Sequence, residues 1–210
     1  MPVIWMWCKS PWPDRKRRAL LATGLAAAAG APGTIRSAGA TESADAILAH
    51  ELLPGSALVG AGALRAWGML IYHATLWARP GWRAQQLGRE PVVLVLHYAR
   101  ALRGADIAER SVLEMRRAGP LPPETEARWL STMQRLFPDV AAGDRLGGRW
   151  DPGHGAQFAA LRVGSTPQPL GAVDDPLFAA RFFGIWLAPS TSAPALRAAL
   201  LGQADPALTR

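Results

Sequence analysis

The chain has 210 residues, 50% of them hydrophobic and 19% charged, which is the composition of a folded domain and excludes a disordered or collagen-like chain. The formal charge of +7 is concentrated at the front: residues 1–40 carry six basic side chains against Asp14, whereas residues 41–210 carry 17 basic and 15 acidic ones, a net of +2. A basic, nucleic-acid-binding body is therefore not expected, and the single cysteine, Cys8, excludes an intrachain disulfide framework and any multi-cysteine metal site.

The first 40 residues read as a cleavable signal peptide. Arg15-Lys16-Arg17-Arg18 precedes an uncharged Ala/Leu-rich run from Ala19 to Pro32, and Ala38-Gly39-Ala40 offers a small-x-small cleavage site that would start the mature chain at Thr41. The apolar run is shorter than the roughly 20 residues that span a bilayer core, so no permanent membrane anchor is expected. Arg17-Arg18-Ala19-Leu20-Leu21 also suits the twin-arginine route. The expected location is the periplasm, with one domain over residues 41–210.

Residues 45–53 suit a short helix or a strand, ended by Pro54-Gly55. Residues 56–78 are apolar with glycines and predict strands, Gly60, Gly62 and Gly68 marking a bulge or a close approach of backbone. Pro91 to Tyr98 is β-branched and apolar on both faces, which predicts a central strand of a covered sheet. Ala105, Ala108, Val112 and Met115 give residues 105–118 a helical stripe, and Pro122-Pro123 opens a second helix with Leu130, Met133 and Phe137 inward. The Gly/Pro-rich residues 143–173 predict antiparallel strands and turns. Asp175 and Pro176 predict a cap and first position of a helix carrying Phe178, Phe182 and Ile185, and a last helix runs from Ser192, as its cap, to Leu201. Strands, helices, strands, helices make an α+β domain with a largely antiparallel sheet.

Few residues suggest chemistry. Gly60-Ala-Gly62-Ala-Leu-Arg65 fails as a dinucleotide fingerprint, because arginine stands at the third glycine position and a strand follows where a helix should start. No cofactor is implied. His50, His73, His97 and His154 form no helical metal-binding pair, so no metal site is expected, and Ser131, Asp151 and His154 lack the nucleophile elbow of a hydrolase triad. Arg65 stands out: a guanidinium in an apolar strand must reach solvent, pair with a distant acid or await an anionic ligand.

Several segments in order resemble the chalcone isomerase superfamily, specifically its bacterial chalcone isomerase-like branch. They are Leu58-Val-Gly-Ala-Gly-Ala-Leu-Arg65, Ile71-Tyr72-His-Ala-Thr-Leu-Trp77, Pro91 to Arg100, Gly143-Asp144 with Asp151-Pro-Gly-His-Gly155, and Gly171 to Leu187 followed by Leu196 to Gly202. The resemblance implies an open-faced β-sandwich, a large antiparallel sheet covered by a helical layer with a ligand cleft between them. It implies ligand-binding roles for Arg65, matching the strand arginine that holds an anion, and for Tyr72, matching the hydroxyl residue of the next strand. The plant enzymes carry a Tyr and an Asn at the start of the helix after the central strand, whereas this chain has Arg103-Gly-Ala-Asp-Ile-Ala108, so chalcone cyclisation is not expected. The favoured expectation is an exported, non-catalytic protein that binds a small amphipathic anion such as a fatty acid. An intramolecular lyase or isomerase, or a structural or partner-binding domain, are the alternatives. Because Arg65 and Tyr72 are seven apart and side chains alternate along a strand, the family reading further requires a turn or bulge between them, with Trp67-Gly68 the natural place, and expects Arg65 largely buried, facing an apolar pocket and within direct or one-water reach of the Tyr72 hydroxyl.

Overall fold

A computed structural model describes residues 37–203. Its centre is a six-stranded sheet in sequence order, β1 (Ala57–Ala66), β2 (Met69–Ala78), β3 (Val92–Tyr98), β4 (Arg145–Asp151), β5 (Gly155–Leu161) and β6 (Gln168–Val173). Every neighbouring pair is antiparallel. Helices α2 (Gly104–Met115) and α3 (Pro123–Leu136) are inserted between β3 and β4, and α4 (Pro176–Leu187) and α5 (Pro194–Leu200) follow β6. These four cover one face, and α1 (Ser37–Leu52) covers the other. The expected α+β, open-faced architecture is thus observed.

The pattern of β3 explains its position. Val92, Leu94, Leu96 and Tyr98 enter the core under α2–α5, and Val93 and Val95 enter the core under α1. Burying each such side chain contributes about 1.5–3 kcal/mol, so a strand apolar on both faces is stable only between two helical layers. Residues 45–52 lie in helix rather than strand, where Leu48, Ala49 and Leu52, followed by Leu53 just past its end, pack against Trp77, Val93 and Val95.

Glycine admits the last helix. A Cβ on Gly60 would lie 2.2 Å from the Ala199 carbonyl oxygen, and one on Gly62 would lie 2.7 Å from Leu196 Cδ1. The two glycines that superficially fit a nucleotide loop thus let α5 lie against β1. The Asp175 cap is observed, with Oδ1 accepting from the Phe178 amide at 3.0 Å, and Oδ2 also accepts from Trp129 Nε1 at 2.9 Å, tying α3 to α4. Ser192 is not the cap of α5. Ala193 holds that position, and Thr191 Oγ1 accepts the Ala193 amide at 3.1 Å, because the chain enters α5 through Pro194.

β1 and β2 are joined by Trp67 and Gly68, both with positive φ (55° and 75°), the backbone of a tight hairpin turn. Trp67 is the one non-glycine residue with positive φ among the described residues, and that conformation costs a residue with a Cβ about 1–2 kcal/mol.

The expected leader, with Cys8 and the Ala19–Pro32 run, lies outside the described residues. Its last four positions begin α1, which runs across the expected cut between Ala40 and Thr41. No helix among the described residues is long and apolar enough to cross a membrane.

Candidate functional site

The two covered faces are not equally filled. Between the sheet and helices α2, α4 and α5 lies a cavity of about 350 Å³. Its walls are mostly apolar: Leu94, Leu96, Leu146 and Phe158 rise from the sheet, and Ile107, Phe182 and Trp186 face them from the helices. The aromatic walls are fixed by edge-to-face contacts, Phe182 with Phe158 at 5.2 Å and with Trp186 at 5.4 Å between ring centroids. The exposed members of the lining, Arg65 on β1 and Ser192, Pro194 and Ala195 at the start of α5, mark the mouth.

A few polar groups converge on this apolar space, the usual constitution of a small-molecule site. Tyr72 is buried, and its hydroxyl accepts a hydrogen bond from Trp186 Nε1 at 2.9 Å, keeping its own proton to donate. Burial pushes the Tyr72 phenol far above the usual tyrosine range, opposed by the Trp186 hydrogen bond and reinforced by the charge of Glu114. Tyr98 packs edge-on against Tyr72 at 5.9 Å, and burial raises its phenol as well. Both are neutral donors at any physiological pH.

The charge in the wall comes from α2. Arg110 and Glu114, four residues apart, form a salt bridge between Nη2 and Oε1, with side chains only 13% and 7% exposed. Arg117 Nε stands 3.7 Å from the other Glu114 oxygen. Between them, Ser111 Oγ donates to the Ile107 carbonyl at 2.8 Å. The guanidinium is therefore held in place by a carboxylate that has a second cation to lean on.

Of the two residues singled out in the sequence, both border the cavity, in different ways. The break expected between them exists at Trp67-Gly68. The expectation that Arg65 is largely buried does not hold: it is exposed, and its Nη1 donates to the Gly68 carbonyl at 3.4 Å. Its strand neighbours Leu64 and Ala66 pack on the core beneath α2–α5, so alternation turns the Arg65 Cβ to the other side. A register shift adds to this. Leu64 pairs with Tyr72 and Arg65 with Leu70, leaving Ile71 as the extra residue, with both Ile71 and Tyr72 inward. The hydroxyl partner of Tyr72 is accordingly Trp186, not Arg65. No described carboxylate forms a salt bridge with Arg65. The sequence reading passed over Arg110, Ser111 and Glu114, although their spacing from Ile107 places all four on one helical stripe. His73 and His97 lie side by side on the opposite face, rings stacked at 6.1 Å, away from the cavity.

A six-stranded antiparallel meander with α2–α3 inserted after β3, helices closing one face and an apolar cavity beneath them define a chalcone isomerase-like open-faced fold. Among solved structures, the crystal structure of a fatty-acid binding protein from Arabidopsis thaliana superposes with a TM-score of 0.52 at 13% identity, over 70% of this chain and 87% of that one. No protein-family model matches the sequence, and no curated protein matches it either.

Proposed function

We propose that this is an exported member of the bacterial chalcone isomerase-like branch, acting in the periplasm as a non-catalytic binding protein for a small amphipathic anion such as a fatty acid. The observation that carries the reading is the cavity itself: about 350 Å³ walled by leucines and phenylalanines, with a neutral hydroxyl donor and a guanidinium among them. That volume suits a folded or partly inserted acyl chain, whose burial contributes about 0.8 kcal/mol per CH₂. The carboxylate takes the Tyr72 proton as a hydrogen bond and shares the Arg110 guanidinium, while Glu114 leans toward Arg117. Arg65, exposed at the mouth, draws the anion to the opening and is screened by salt. The fold of the Arabidopsis fatty-acid binding protein supports this reading.

Native mass spectrometry with lipid extraction of protein purified from its own periplasm tests both the ligand and the mature N-terminus. The expected result is a co-purifying amphipathic anion on a chain starting at Thr41. A chain recovered intact from the cytoplasm contradicts the export reading. The double variant Arg110→Gln/Glu114→Gln, which removes the pair without orphaning either partner, should weaken fatty-acid binding by about 1.5–3 kcal/mol, the range for hydrogen bonds to a charged group. Arg65→Ala should cost less than about 1 kcal/mol, as for exposed charges, mainly in a salt-dependent association rate. Saturable turnover of a chalcone, abolished by Tyr72→Phe, would contradict the non-catalytic reading.

A further inference from the structure

The β1–β2 hairpin ends in an exposed surface that is both apolar and basic. Trp67 occupies the first central position of the turn at φ 55°, where asparagine or glycine relieves the backbone, yet its indole is 56% exposed. Met69 beside it is 42% exposed. The tip is flanked by cations, Arg65 on β1 and Arg100 just after β3, and Arg100 Nη1 lies 3.7 Å from Met69 Sδ. From residue 52 to residue 89 the sequence contains no carboxylate at all. An exposed indole and thioether flanked by two arginines, with no acidic side chain on the hairpin, has the chemistry of an interfacial anchor. Indole prefers the headgroup level, and basic side chains are drawn to anionic lipid. The position matters as much as the composition. Arg65 and Ala66, adjoining the turn, border the cavity, and Ser192, Pro194 and Ala195 complete its mouth.

We propose that the hairpin tip formed by Trp67 and Met69, with Arg65 and Arg100, docks on the surface of an anionic lipid bilayer and presents the cavity mouth to it. This rests on the lipid-binding reading for its purpose, though not for its chemistry. Docking places the opening at the depth of the lipid carboxylates and phosphates, so that an amphipathic anion passes between bilayer and cavity without crossing open water.

Vesicle sedimentation of the protein as isolated from its host cell, beside Trp67→Asn, tests the proposal, since both carry the same N-terminus and differ only at the tip. Asparagine suits the turn, so the variant should fold and melt no lower than the parent. The parent should sediment with equimolar phosphatidylglycerol/phosphatidylcholine vesicles, much less with phosphatidylcholine alone, and less at high salt. Trp67→Asn should lose about tenfold or more of that partitioning while keeping its affinity for fatty acid in solution. Equal sedimentation of the two proteins, or no preference for the anionic vesicles, overturns the proposal. A parent that light scattering shows as a dimer and a variant that is a monomer would reassign the tip to contact between copies and overturn it too. Tip-dependent vesicle binding in a protein whose cavity takes no fatty acid would uphold docking and defeat the ligand reading, so the two fail separately.

Discussion

Both faces of the sheet are roofed by helices, but the two roofs pack differently. Under α1 the contact is tight: a Cβ on Gly147 would fall 2.8 Å from Leu52 Cδ1 and 3.0 Å from Leu48 Cγ, so glycine lets the single helix sink onto the sheet. Asp45, Arg145, Thr75 and Trp77 form one hydrogen-bonded cluster there, while His97 Nδ1 and Arg149 Nε are buried without a partner among the described residues. Arg145 Nε donates to Asp45 Oδ1 at 2.6 Å and its Nη1 to the Gly143 carbonyl at 2.8 Å, Thr75 Oγ1 donates to Asp45 Oδ2 at 3.3 Å, and Trp77 Nε1 donates to Thr75. Under α2, α4 and α5 the bulky Phe158, Phe182 and Trp186 prop the layers apart, and the polar groups, Tyr72, Arg110 and Ser111, border the space that results. The same sheet thus carries a structural face, built round the Asp45–Arg145 pair, and a face bordered by an apolar cavity, which the proposed function makes the receptive one.

The sharpest way to break this contrast is to disturb the structural face. Asp45→Ala leaves the Arg145 guanidinium, only 8% exposed, without its carboxylate. Removing one partner of a buried pair costs about 3–5 kcal/mol, so denaturant unfolding should show a loss of that size. Fatty-acid affinity of the folded fraction should be unchanged. A loss below about 1 kcal/mol, the range of surface pairs, would mean that the pair is solvated and the two faces are less different than argued.

On the receptive face Tyr72→Phe orphans Trp186 Nε1 in a buried site. Thermal unfolding should register about 1–3 kcal/mol of destabilisation, together with a weaker ligand. Unchanged affinity would remove Tyr72 from the site and leave it a packing residue.

The smallest effect is a pH dependence that belongs to the structural face. Burial, then the charge of Arg145, hold the His97 imidazole below its ordinary value of 6.5, with Asp45 opposing. The unfolded chain therefore takes up a proton that the folded chain refuses. Stability is complete above about pH 6.5 and declines as pH falls below it. Melting temperatures across that range should slope downward toward acid, and His97→Asn should flatten the slope. An identical slope in the variant would assign it to another group.

Much of the architecture was legible in the sequence because local and global demands agree. The β-branched run before Tyr98 admits only a strand covered on both sides, and Asp175-Pro176 is a helix start by cap chemistry and ring geometry alike. Trp67-Gly68 was legible as a turn because glycine accepts the positive φ that a tight turn demands. The orientation of Arg65 was not, because the register shift at Ile71 adds a residue that no composition signals, and alternation along β1 then turns the guanidinium outward. Arg110 was hidden for a different reason. An Arg/Glu pair four apart on a helix has the pattern of a solvated face, and only the packing of α2 against α4 turns that face inward.

The central claim, that the space beneath α2 and α4 is kept for a guest, is tested most directly by filling it. Ser111 borders the cavity and spends its hydroxyl on its own helix, at the Ile107 carbonyl. Ser111→Leu therefore places added methyl groups into empty volume and should change stability by no more than about 1 kcal/mol. Calorimetric titration of a long-chain fatty acid into parent and variant should give saturable binding to the parent and an affinity at least about tenfold weaker in the variant, a difference of about 1.4 kcal/mol. Equal binding to both proteins, or binding to neither, would contradict the account.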